Sequence, residues 1–124
     1  MRALIVDDSR FSRIYFRKML EGEGMECEEA VDAEEGLKRL RSSKVFDLML
    51  VDWNMPGMSG PEMIALVRQE GMAELKILMV TTVEESECIA QALETGANEF
   101  LMKPFDADAL KEKLALMGLE RVAG

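Results

Sequence analysis

Short apolar runs alternate with longer stretches of helical spacing from one end of the chain to the other. Arg2 to Asp7, Met25 to Val31, Asp47 to Asp52, Lys76 to Thr81 and Asn98 to Met102 read as five strands. The third is apolar throughout, as a strand buried on both faces would be. The second interleaves Glu26, Glu28 and Glu29, a pattern that suits a sheet edge.

The intervening segments carry helix signals. Ser9 to Glu21 reads as helix one, with Ser9 at the N-cap position and Gly22 or Gly24 as terminator. Phe16 and Leu20 stand at i, i+4 spacing, but Phe11, Ile14, Tyr15 and Met19 blur the buried face, so periodicity leaves its rotation open. Asp32 caps helix two, with Glu35 three residues on as in a capping box, and Leu37 and Leu40 form its stripe. Trp53 to Ser59 is a loop, with Pro56 and two helix-breaking glycines, Gly57 and Gly60, in and just after it. Pro61 suits the first turn of helix three, whose stripe is Met63, Ile64, Leu66 and Val67. Glu84 to Thr95 is helix four, stopped by Gly96. Asp106 caps helix five, with Leu110, Leu114 and Met117 at i, i+4, i+7.

Five strands alternating with five helices predict an α/β fold with a parallel, doubly wound sheet. The 124 residues match one ordinary domain, spanning 1–124, and the chain ends too soon after helix five for an output domain to follow. The formal charge of −9, from 24 acidic and 15 basic residues, repels phosphate backbones and argues against nucleic-acid binding. A basic partner, or a cation in an acidic cluster, fits better. No run can span a bilayer and no signal-peptide h-region precedes strand one, so the expectation is a cytoplasmic protein with no membrane partner. Histidine is absent. Cys27 and Cys88 stand far apart, outside any metal-ligand spacing, and read as reduced structural thiols. The 11 methionines read mainly as core filler.

In open α/β sheets, function gathers beyond the carboxyl ends of the strands. Asp7 and Asp8 follow strand one there, Asp52 ends strand three, Thr81 and Thr82 end strand four, and Lys103 follows strand five. Any one of these alone reads as a helix cap or a satisfied turn. Their coincidence at one edge points to a divalent-cation and phosphoryl site. Clustered carboxylates raise one another's proton affinity, and a hard cation removes that penalty. Mg2+ prefers oxygen ligands, whereas zinc lacks its usual imidazole or thiolate set here.

In order and spacing, Asp7-Asp8, Asp52, Thr81 and Lys103-Pro104-Phe105 resemble the receiver domain of bacterial two-component response regulators across essentially the whole chain. The stretch from Asp52 to Gly60 resembles the chemotaxis receivers of that family in particular. The resemblance implies a flavodoxin-like sheet of order 2-1-3-4-5. It implies that Asp52 takes a phosphoryl group from a phosphohistidine on a sensor histidine kinase. It implies Mg2+ held by Asp8, Asp52 and the Asn54 backbone carbonyl, with Asp7 acting through metal-bound water. Lys103, the Thr81 hydroxyl and the backbone N–H groups of Trp53 and Thr82 would hold phosphoryl oxygens, and the Lys103-Pro104 bond would be cis.

Phe100 stands where the family carries a switch aromatic, usually Tyr in chemotaxis receivers, and plain core packing is its competing role. Val83 is apolar at a variable family position and offers little to orient an attacking water. The resemblance places output on the helix 4–strand 5–helix 5 face, around Glu87, Gln91, Met102, Lys111 and Lys113, for a downstream protein such as a flagellar motor switch. A phosphatase would be a further partner. A phosphorelay shuttle or kinase regulator is the alternative role within the family. Outside it stand an aspartyl-phosphate hydrolase of the dehalogenase type, which would carry its nucleophile in a D-x-D arrangement after strand one, and a flavodoxin-type flavin carrier, whose phosphate Asp7-Asp8 would repel.

Overall fold

The computed structural model describes residues 1–42, 44–82 and 89–119. Its strands are β1 (Arg2–Val6), β2 (Glu26–Ala30), β3 (Leu48–Asp52), β4 (Lys76–Thr81) and β5 (Glu99–Met102). Its helices are α1 (Arg10–Gly22), α2 (Ala33–Leu40), α3 (Gly60–Gln69), α4 (Ile89–Thr95) and α5 (Ala107–Leu116). The expected strands are each present, most of them trimmed at their ends. The expected start of helix four at Glu84 lies outside the described residues, as do Val83, Glu87 and Cys88.

All strands pair in parallel, in the order β2-β1-β3-β4-β5. The glutamate-rich β2 is an edge, as its pattern predicts, and its charges are matched from the flanking helices and from Lys44 in the loop after α2. Glu28 meets Arg39 at 2.9 Å and Lys44 at 3.0 Å, and Glu29 meets Arg13 and Arg17 at 3.0 and 2.7 Å.

Strand alternation sorts the core into two layers. Leu4, Val6, Met49, Val51, Ile77 and Met79 face the layer built from α2, α3 and α4. Ala3, Ile5, Leu48, Leu50, Leu78 and Val80 face the layer built from α1 and α5. Helix α1 buries Phe16 and Leu20 and leaves Phe11, Ile14 and Tyr15 exposed, which resolves its rotation. Phe16 is held there by parallel stacking on Phe105, centroids 5.2 Å apart.

The caps follow the sequence. Ser9, Asp32 and Asp106 each accept the N–H three residues on. The box expected at Asp32 is only half formed, because the Glu35 carboxylate faces Arg39 one turn along, at 3.6 Å. Ser59 opens α3 in the same way, accepting from the Glu62 N–H. Gly60 is therefore the first residue of α3, not a breaker.

Gly96 closes α4 at φ +136°, and a Cβ there would meet Arg68 Cγ at 2.7 Å. Arg68 donates to the carbonyls of Met72, Leu75 and Gly96 and to Asn98 Oδ1, tying α3 to the start of β4 and the turn into β5.

Candidate functional site

The carboxyl ends of β1, β3, β4 and β5 converge as expected. One oxygen from each of Asp7, Asp8 and Asp52 can be chosen so that all lie within 4.8 Å of one another. Asp7 is fully buried, Asp52 nearly so, and Asp8 is exposed. Lys103 projects into the same cluster, its Nζ 3.2 Å from Asp7 Oδ2 and 3.6 Å from Asp52 Oδ2. The Lys103–Pro104 bond is cis. The ammonium also lies 5.6 Å from the centroid of the Phe16 ring, which flanks the site on the α1 side.

The three acids are held differently. Both carboxylate oxygens of Asp7 are engaged, Oδ1 by the Ser9 N–H at 2.8 Å and Oδ2 by Lys103. Asp52 is held loosely. Oδ1 accepts a 3.4 Å bond from the Asn54 N–H, and Oδ2 faces Lys103 beyond ordinary hydrogen-bond length. Burial pushes the Asp52 carboxyl up to about 6. Lys103 opposes the rise, Asp7 adds to it, the Asn54 N–H opposes it and Asp8 adds to it. A second cation beside Asp52 would relieve this strain, and an all-oxygen donor set of this kind suits a hard divalent ion. The donors present therefore fit a metal site.

Thr81 ends β4 with its side chain fully buried, donating to the Thr82 carbonyl at 3.4 Å. Thr82 follows it at the same edge. The Trp53 N–H, expected at the site, is given instead to the Val80 carbonyl at 2.8 Å and so extends the β3–β4 ladder. Asn54 supplies the backbone N–H that faces the carboxylate. Phe100 is half-buried against the α2–α4 layer, with Lys113 Nζ 4.7 Å from its ring centroid and Glu99 paired to the same ammonium at 3.0 Å.

Gly60 belongs to the site although nothing in its spacing says so. A Cβ there would lie 2.5 Å from the Asp52 carbonyl oxygen and 3.0 Å from Trp53 Cα. Only a glycine lets the start of α3 pack against the backbone that carries Asp52. Its position directly after a Pro-Gly loop is the one signal in the sequence, and that signal fits a helix breaker equally well.

Comparison with known proteins gives a consistent assignment. Residues 3–115 match the family described as the response regulator receiver domain. The chain is 39% identical to the chemotaxis protein CheY of Pseudomonas aeruginosa, over the full length of both. The structure of Vibrio cholerae CheY4 superposes with a TM-score of 0.85 at 33% identity, covering 94% of this chain and 97% of that one. A probable two-component response regulator/GGDEF domain protein superposes at 0.88 with 30% identity, covering 94% of this chain. This chain spans about half of that protein, 48%.

Proposed function

The chain belongs to the response regulator receiver family, a regulatory family of two-component signalling, and from that premise we propose that it is a phosphorylation switch, with residues 1–124 forming one receiver domain. Asp52 is the phosphoryl acceptor. The observation that carries this is the contrast among the acids: Asp7 spends both oxygens on fixed partners, Asp8 is solvent-exposed, and Asp52 alone is buried, loosely held and beside Lys103. An oxygen of Asp52 attacks the phosphorus of a phosphohistidine on a sensor histidine kinase. The P–N bond breaks as the P–O bond forms, and the imidazole leaves with the electron pair.

Such transfer needs positioning and charge neutralisation more than covalent help. Asp7, Asp8 and Asp52, with the Asn54 carbonyl, would hold Mg2+, which would supply that neutralisation when bound. Lys103, the Thr81 hydroxyl and the N–H groups of Asn54 and Thr82 receive the phosphoryl oxygens. The Trp53 N–H joins them only by leaving Val80. Thr81 and Phe100 then pass the change to the α4–β5–α5 face.

The chemotaxis proteins among the relatives support a chemotaxis output. Within that reading a flagellar motor protein is the target, a phosphatase a further partner and the cytoplasm the location. A phosphorelay shuttle is the second reading within the family. The receiver match over the chain sets aside the dehalogenase-type hydrolase and the flavin carrier. Incubation with acetyl phosphate and Mg2+ should add one phosphoryl group by intact mass, and Asp52→Asn should abolish it. Undiminished labelling of that variant would overturn the assignment.

A further inference from the structure

Asp8 completes the acidic cluster from an exposed turn, so its placement depends on the backbone that carries it. That backbone is clamped at the residue before it. The Asp7 N–H donates to the Ala30 carbonyl at 3.1 Å. The Asp7 carbonyl accepts from Arg13 Nη1 at 2.8 Å. The Asp7 carbonyl belongs to the peptide unit that leads into Asp8. Because that unit is planar, holding the carbonyl also holds the Asp8 nitrogen and the direction of its Cα.

Arg13 is itself held. Its Nε donates to Glu29 Oε1 at 3.0 Å, and its side chain is only 12% exposed. Glu29 lies on β2, across from β1, so one ion pair ties α1, the sheet edge and the acidic turn together. Arg17 is an internal comparison. It comes from the same helix one turn on and shares Glu29, at 2.7 Å, but its other bonds go to the Cys27 carbonyl and to Glu21, away from the acidic turn.

We propose that Arg13, oriented by Glu29, is a positioning residue of the cation site, acting through the Asp7 carbonyl to set where the Asp8 carboxylate stands. The inference rests on the reading of Asp7, Asp8 and Asp52 as a divalent-cation site. It gives a sign that simple electrostatics does not. Removing a positive charge close to a cation site should tighten cation binding by Coulomb's law. Removing a clamp that orients a ligand should loosen it, and outer partners of metal ligands typically contribute about 10- to 100-fold.

The test is Mg2+ binding to the folded, unphosphorylated full chain, by calorimetry and by Trp53 fluorescence, for the wild type, Arg13→Met, Arg17→Met, Glu29→Gln and Asp8→Ala. Methionine keeps the aliphatic stem and deletes the donors. Arg13→Met should raise the Kd roughly ten-fold, and Glu29→Gln several-fold, as the clamp loses its anchor. Arg17→Met should leave the Kd near wild type even where it lowers the unfolding midpoint. Should Arg13→Met fail to fold, Arg13→Lys decides the question: it keeps the positive charge, so electrostatics leaves the Kd unchanged, while losing the forked donors that reach Glu29 and the Asp7 carbonyl together should still raise it, and an unchanged Kd there overturns the role. An unchanged or lower Kd in Arg13→Met, or an equal rise in Arg17→Met, overturns the positioning role. A wild type that binds no Mg2+, or an Asp8→Ala variant that binds it equally well, instead overturns the cation-site reading beneath it.

Discussion

Replacing Asp52 by asparagine should stabilise the metal-free protein at neutral pH, and the gain should vanish in mild acid. Burial raises the Asp52 carboxyl from its ordinary 3.8 to about 6 in the folded state. Between those values the folded chain holds a proton that the unfolded chain has released. Stability therefore falls as pH rises through that window, and the loss is complete above it. At 1.36 kcal/mol per tenfold change in proton affinity, the charged carboxylate costs the fold about 3 kcal/mol. The attraction of Lys103 is already included, because it opposes the rise. Asparagine matches the shape of the protonated acid and cannot ionise, so Asp52→Asn should gain most of that amount near pH 7.5 and almost nothing near pH 4.

The assay is urea unfolding with a chelator present, followed by Trp53 fluorescence and far-ultraviolet circular dichroism. With a slope of about 1–3 kcal/mol/M, the neutral-pH midpoint should rise by roughly 1–3 M. Other carboxylates also titrate over this range. Glu28 and Glu29 have their affinities lowered by arginine and lysine partners despite burial, so they lose stabilisation in acid. These contributions are common to both proteins and cancel in the difference. Mg2+ should close the gap, because it binds the folded wild type and offsets the Asp52 charge. A variant less stable than wild type at neutral pH, or a gain independent of pH, would refute the account of a strained acceptor.

Lys103→Ala and Thr81→Ala should still take label from acetyl phosphate but bind an output partner like the unphosphorylated protein; full partner affinity in either labelled form would remove that residue from the switch. Gly60→Ala should cost about 1–3 kcal/mol by overpacking against the Asp52 backbone and slow labelling at Asp52, and normal labelling with unchanged stability would show that α3 yields freely. Cys27 is buried, and burial pushes its thiol up to about 11, so in a Cys88→Ser background alkylation near pH 8 should track unfolding; rapid modification of the folded protein would contradict that burial. Substitutions at Lys111, Lys113 and Met102 should abolish partner binding while labelling survives, and amide exchange with and without beryllofluoride should change on β5 and α5; change confined to the acidic cluster and α1 would move the output face.

Local pattern carried the architecture. An unbroken apolar run in β3 and interleaved glutamates in β2 are consequences of having two buried faces or one free edge, so each strand's environment was legible before its neighbours were known. The caps at Ser9, Asp32 and Asp106 were legible because an N-cap bond spans three residues. The acidic cluster and Lys103 were legible because a parallel sheet brings strand ends to one edge whatever the detailed packing.

What escaped is what depends on which distant groups meet. Phe11, Ile14, Tyr15, Phe16 and Leu20 are all apolar, and stacking on Phe105 accompanies the burial of Phe16 while Tyr15 stays exposed. Periodicity within α1 holds no information about Phe105. Glu35 has the spacing of a capping box but faces Arg39 instead, and a surface pair is worth so little that spacing alone cannot rank the two partners. Gly60 and Arg13 carry no motif. Their importance comes from a close approach to the Asp52 backbone and from a bond to the Asp7 carbonyl, and main-chain atoms leave no trace in the identity of the residue that bears them. Which side chains share the sheet edge follows from the order of residues along the chain; how firmly each is held depends on backbone groups that meet only when the layers close.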